Sequence, residues 1–302
     1  MPIFLTNIFI YSGLMIFSFL FLFGINDLSF ETNFFNFEKI DTRLIVMFLL
    51  AEPHFAMTIP LMYGYRKFFL TKPLTFLFIP LLIIICSSFL FFLKTELFFL
   101  VFLIANVYHV NRQSVGFFKL QARGSDIVAK LYEVNLHILT ISCLYFAMVK
   151  KMHSLSIALI ILMVVVGIMI GAIFILNKRL VSLKEFFVVM QGFLIFLPIV
   201  IFNDIILAFA VGISIHYLQY IVISWKILRN GFGFQFIPLI SVIMLYSMFS
   251  TGALSGLITS ERISLIVFIP TMLQLLHFYY DGFIWKRSEI IVNDTMKKAF
   301  SK

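Results

Sequence analysis

Apolar runs of about twenty residues succeed one another along this chain, separated only by short polar turns. That is the length a helix needs to cross the hydrocarbon of a bilayer, where a backbone must satisfy its own N–H and C=O groups. The chain is therefore expected to be all-α, a polytopic integral membrane protein. Ten spans are expected, at 7–24, 43–65, 74–93, 97–118, 130–149, 155–176, 185–203, 205–225, 237–257 and 263–285. They form a single transmembrane domain over 1–302, ending in a short cytoplasmic tail at 287–302. The turns at Lys94-Thr95-Glu96 and Asn203-Asp204 are short enough for antiparallel hairpins. Residues 7–24 have no basic segment ahead of them, so they read as a retained helix rather than a signal peptide.

Composition argues against other classes. Charged residues make up 12% of the chain, against about a quarter in a globular domain. Hydrophobic residues make up 62%, the mean hydropathy is +1.07, and no polar stretch is long enough for a separate soluble domain. The net charge of +9 is spread over short loops. It therefore reports topology and anionic lipid headgroups rather than nucleic acid. Loops after even-numbered spans hold Arg66, Lys67 and Lys72, then Lys119 and Arg123, then Lys178, Arg179 and Lys184, then Lys226 and Arg229. The tail adds Lys286, Arg287, Lys297, Lys298 and Lys302, whereas the first loop is acidic, with Asp27, Glu31, Glu38 and Asp41. By the positive-inside rule both termini are expected on the cytoplasmic side. Cys86 and Cys143 lie inside apolar runs, so neither suggests a disulfide framework or a thiolate metal site. The 40 phenylalanines fit either a cavity for a long unsaturated ligand or the codon bias of an AT-rich genome.

Four histidines stand out against this background: His54, His109, His216 and His277, on the second, fourth, eighth and tenth spans. These spans all cross in the same direction. Counted from their outer ends at Arg43, Glu96, Asp204 and Arg262, the histidines fall within about four positions, or about 6 Å of depth. An ionisable group in a bilayer costs roughly 2.5–3.5 kcal/mol on insertion scales, so a cluster of them marks function. Imidazole is the commonest ligand for zinc, copper and iron, and it donates its other N–H to a carboxylate, amide or carbonyl. Such partners stand nearby. Asp281 is four residues after His277, Gln113 four after His109 and Tyr220 four after His216, each on one helical face with its histidine. Gln219 follows His216 by three, and Glu52 precedes His54 by two, which turns it toward another helix.

A lone histidine in a membrane helix more often bonds a neighbouring helix, but four at matched depth favour a metal. Arg112 reads as the counter-charge of Glu52, Asp281 or Glu133, as a clamp on a substrate anion, or as a side chain snorkelling to the surface. Glu133 and His137 share a face of the fifth span, as a fifth ligand, a supporting element or a helix-to-helix bond. His153 belongs to an outer loop, and Gln191 is a candidate for interhelical glue. Glycine-rich nucleotide loops, serine-hydrolase elbows, His-Glu-x-x-His and the clustered boxes of membrane desaturases are absent from the sequence.

The motifs Pro53-His54-Phe55-Ala56, Tyr108-His109 and His216-x-x-x-Tyr220 are spaced in a way that resembles the Brp/Blh family of bacterial and archaeal membrane β-carotene dioxygenases. The resemblance covers about residues 45–225 and implies a non-haem iron enzyme that cleaves a polyene centrally to give retinal. The chain departs from the family pattern at three places. Phe55 replaces a small residue, Thr58 an acidic one and Tyr220 the second histidine of a His-x-x-x-His pair. On this resemblance His277 supplies the missing fourth ligand.

The expectation is a non-haem metal oxygenase of the bacterial cytoplasmic membrane. Its lipophilic substrate, a carotenoid or other polyene, would enter from the surrounding lipid. The metal is expected to be Fe(II), with zinc or haem as alternatives, held by His54, His109, His216 and His277. Glu52, Asp281 and Tyr220 are the catalytic candidates, and Gln113, Gln219 and Arg112 the cofactor-binding ones. Two other classes stay open. The same buried groups suit an ion- or proton-coupled transporter, and paired histidines suit a haem-binding electron carrier.

Overall fold

Prolines decide where several helices of this chain break. The computed structural model describes residues 30–32, 37–40, 50–121, 126–149, 154–177, 180–202, 205–233, 263–285 and 290–300. They are helical apart from an antiparallel ribbon of β1 (Phe30–Thr32) and β2 (Phe37–Ile40), which pairs Phe30 with Ile40 and Thr32 with Phe37. Four helices among them are long and apolar enough to cross a membrane: Leu74–Leu93, Asp126–Phe146, Ile157–Leu176 and Val211–Phe232. The expected spans 7–24 and 237–257 lie outside the described residues, as does His153.

The described residues divide into two compact units, one from 47–109 and 220–302, the other from 2–46 and 110–219. In the first unit the expected span 43–65 is a succession of short helices: α1 (Glu52–Ala56), α2 (Thr58–Gly64) and α3 (Arg66–Leu70). Pro60 has no N–H to return to the Ala56 carbonyl, and the helix is interrupted at Met57. The same chemistry acts at the next span, where a π-helical turn over Leu74–Phe78 leads into α4 (Ile79–Leu93) with Pro80 in its first turn. Pro80 cannot bond the Phe76 carbonyl. Tyr280 does so instead, at 3.0 Å, and Tyr279 bonds the Thr75 carbonyl at 2.7 Å. Both tyrosines come from α11 (Ile263–Ile284), which packs against α1, α2 and α4 and so holds this unit together.

Helix α5 (Thr95–Gln121) follows α4 after a tight turn at Lys94. It has the length of a span, but the polar run from His109 to Gln113 lowers its mean hydropathy, and it is not among the four. Phe91 of α4, Phe98 of α5 and Phe268 of α11 form an aromatic cluster, with centroids 4.6–5.6 Å apart. Starting from this cluster, α5 reaches His109 after about 16 Å and α11 reaches His277 after about 14 Å. The shared depth expected from sequence thus has a packing anchor.

The second unit contains α6 (Asp126–Val149) and α7 (Ser154–Asn177), packed along each other, with α8 (Leu183–Leu194) and α9 (Pro198–Ile201) against them. Ser182 and Glu185 form a capping box that starts α8. The expected span 185–203 is broken, because Pro198 lacks the N–H that would continue α8 through Leu194. Gly192 lies under the Tyr132 phenol and Gly212 against the Ile195 carbonyl, and a Cβ at either would collide with that oxygen. Gly212 belongs to α10 (Ile205–Lys226).

After α10 comes a π-helical turn, Ile227–Phe232, closed by Gly233 in the left-handed region at φ 75°. The expected tail at 287–302 holds a helix, α12 (Ile290–Phe300), docked on that turn through Asn230 Nδ2 and the Ala299 carbonyl at 3.2 Å. Its Val292, Met296 and Ala299 are buried, while Lys297 and Lys298 face outward.

Tyr280→Phe deletes the hydroxyl that meets the Phe76 carbonyl, so it should cost about 1–2 kcal/mol. Thermal unfolding in detergent measures this, with Tyr63→Phe, an exposed phenol, as the neutral reference.

Candidate metal centre

Three imidazoles of the first unit converge. His54 is carried by α1, His109 by α5 and His277 by α11, and all three are buried. One nitrogen from each lies within 4.8 Å of the other two. His54 Nε2 and His277 Nε2 are 2.9 Å apart. Ring centroids are separated by 4.6 Å for His54 and His277, 5.0 Å for His109 and His277, and 6.3 Å for His54 and His109.

Asp281 sits one turn beyond His277 on α11, as its spacing predicts. Its Oδ2 is 3.5 Å from His277 Nε2 and 3.9 Å from His109 Nε2. Its Oδ1 accepts a hydrogen bond from the Tyr220 hydroxyl at 2.8 Å. The same phenol oxygen is 3.0 Å from Thr58 Oγ1, which is 2.5 Å from His277 Nδ1. Both nitrogens of the His277 ring are thus engaged. Nδ1 has a protein partner, and Nε2 faces another imidazole and a carboxylate.

Aromatic rings wall the group in. Phe278 stacks on His109 with centroids 4.4 Å apart, Phe55 meets His277 edge-on at 5.1 Å, and the Tyr220 ring lies 4.2 Å from that of His54. Trp285 closes on Tyr220 from behind, at 5.5 Å. Burying three imidazoles and a carboxylate among such rings costs free energy unless each polar atom finds a partner.

The donor set suits a divalent transition metal. His54 Nε2 and His277 Nε2, 2.9 Å apart, could be brought together by one cation or by one shared hydrogen. Imidazole nitrogen with one carboxylate oxygen nearby is a borderline donor set, suited to iron or zinc. The Thr58 contact on His277 Nδ1 is the kind of outer hydrogen bond that orients a ligating imidazole.

The other expected residues are placed as follows. Glu52 is buried at the start of α1. His216 is buried on α10 within the second unit, and Gln113 is half-buried on α5 there. Gln219 is buried and donates from Nε2 to Gln191 Oε1 at 2.7 Å. Gln191, the glue candidate, therefore joins α8 to α10. Arg112 bonds Glu133 Oε1 at 2.8 Å, one of the three counter-charges considered for it. His137 Nδ1 meets the backbone carbonyl of Glu133 at 2.7 Å, on its own helix.

Thr58 lies one turn after His54, the same spacing that places Asp281 beside His277, and that spacing is the signal in the sequence for its place in the site. No family model, curated protein or solved structure matches this chain.

Gln219→Leu removes the hydrogen bond to Gln191 Oε1 and should destabilise by about 1–3 kcal/mol. The double variant Gln191→Leu with Gln219→Leu should lose less than the two single losses added together, which a double-mutant cycle of unfolding midpoints measures.

Proposed function

We propose that this chain is a multi-pass membrane enzyme of ten spans with both termini cytoplasmic, residing in a bacterial cytoplasmic membrane. It would use a non-haem metal, Fe(II), to oxidise a lipophilic substrate of the polyene class with O2. The observation that carries the reading is the convergence of His54, His109 and His277, three buried imidazoles from separate helices whose nitrogens face one another. His216 enters the reading as a fourth ligand on its depth in the sequence alone.

When bound, iron would supply the redox chemistry and the activation of O2. The remaining tasks belong to the chain. His54, His109 and His277 bind and orient. Asp281 places negative charge beside two of the imidazoles and accepts a hydrogen bond from the Tyr220 hydroxyl, so the pair can hold a proton at the edge of the site. Phe55, Phe278 and Trp285 exclude water and offer an apolar surface to a substrate entering from lipid. The spacing that resembles membrane β-carotene dioxygenases supports the substrate class.

Elemental analysis of detergent-purified protein tests the proposal. About one iron per chain is expected, lost in His54→Ala and in His277→Ala while helicity and monodispersity persist. His216→Ala separates a four-histidine site from a three-histidine one. Protein that never takes up metal, or an intense visible band of haem, would overturn the reading. The first result would leave a proton- or ion-coupled transporter in its place.

A further inference from the structure

Every hydrogen in the chain from Asp281 to His277 can be assigned by counting donors. Tyr220 has one hydroxyl hydrogen, and it is donated to Asp281 Oδ1, 2.8 Å away. The 3.0 Å contact between Tyr220 Oη and Thr58 Oγ1 must then be a bond that Thr58 donates. Thr58 also has a single hydrogen, now spent. Its contact with His277 Nδ1 can therefore only be one in which the imidazole donates. The relay runs in one direction, from His277 Nδ1–H to Thr58, from Thr58 to Tyr220 and from Tyr220 to Asp281.

A neutral imidazole carries one ring hydrogen. With that hydrogen on Nδ1, the lone pair of His277 lies on Nε2, the nitrogen that faces His54 Nε2 at 2.9 Å and the Asp281 carboxylate at 3.5 Å. We propose that Thr58 and Tyr220 are positioning residues that lock His277 as its Nδ1–H tautomer, so that Nε2 is offered to a cation. The inference rests on the metal reading above and deepens it. Asp281 acts at both ends, presenting Oδ2 to the imidazoles and anchoring through Oδ1 the relay that orients one of them. Neither Thr58 nor Tyr220 touches the cation in this scheme.

The test uses the full-length protein in detergent, first stripped with a chelator and then titrated anaerobically with Fe(II). Solid-state nitrogen NMR of histidine-labelled protein, with His277→Asn to assign the signal, reads the tautomer before any metal is added. The wild type should show His277 as Nδ1–H, and Tyr220→Phe and Thr58→Val should each convert it to a mixture. Iron affinity should fall about tenfold to a hundredfold in both variants, and Thr58→Ser, which keeps the hydroxyl, should restore it. A wild-type His277 protonated on Nε2, or unchanged iron affinity in both Tyr220→Phe and Thr58→Val, overturns the proposal. If the wild type binds no iron yet keeps the Nδ1–H form, the metal reading fails while the relay stands. The two ideas thus fail separately.

Discussion

A polar side chain in an apolar helix bundle is tolerated only if another protein group or an ion meets it, and the first unit is organised by that requirement. Helix α11 concentrates the demand. It carries His277, Tyr279, Tyr280 and Asp281 in succession, and each is met by something specific. The two tyrosines bond carbonyls at the start of the α4 segment, and Asp281 takes the Tyr220 hydroxyl. His277 is met on one side by Thr58 and on the other by His54. This helix is also the one that packs against α1, α2 and α4.

The broken helices belong to the same logic. Pro80 leaves the Phe76 carbonyl without its helical donor, and Tyr280 takes the role, so an irregularity in one helix is matched by a phenol on another. Pro60 interrupts the helix at Met57, between His54 of α1 and the start of α2, yet Thr58 on the far side of the break still reaches His277. Irregular backbone is tolerated in such a setting where neighbouring helices re-satisfy it. Here it lies within one turn of the residues that define the site.

Much of the site was legible in the sequence, because helical spacing and membrane depth are one-dimensional properties. Asp281 beside His277 follows from a separation of four residues, and the common depth of His54, His109 and His277 follows from counting along three spans. Arg112 had three candidate partners, and which of them it met depended on whether α5 and α6 were neighbours; the structure pairs it with Glu133. Spacing along α10 makes Tyr220 a companion of His216. Its hydroxyl instead joins Asp281 and Thr58, a reach across helices that no spacing along α10 encodes. The ribbon of β1 and β2 was likewise not anticipated, since strands so short leave no periodic trace.

Hydropathy and helical periodicity alone determined that this chain is helical and that four of its described helices are long and apolar enough to cross a membrane, because both depend only on distance along the chain. Which imidazoles meet, and which nitrogen each presents, was decided by tertiary packing. The aromatic cluster of Phe91, Phe98 and Phe268 sets the heights of α5 and α11, and the Thr58 and Tyr220 hydroxyls set the hydrogen on His277. A hydrogen-bond direction depends on all its neighbours at once, and those neighbours are assembled only when the helices come together.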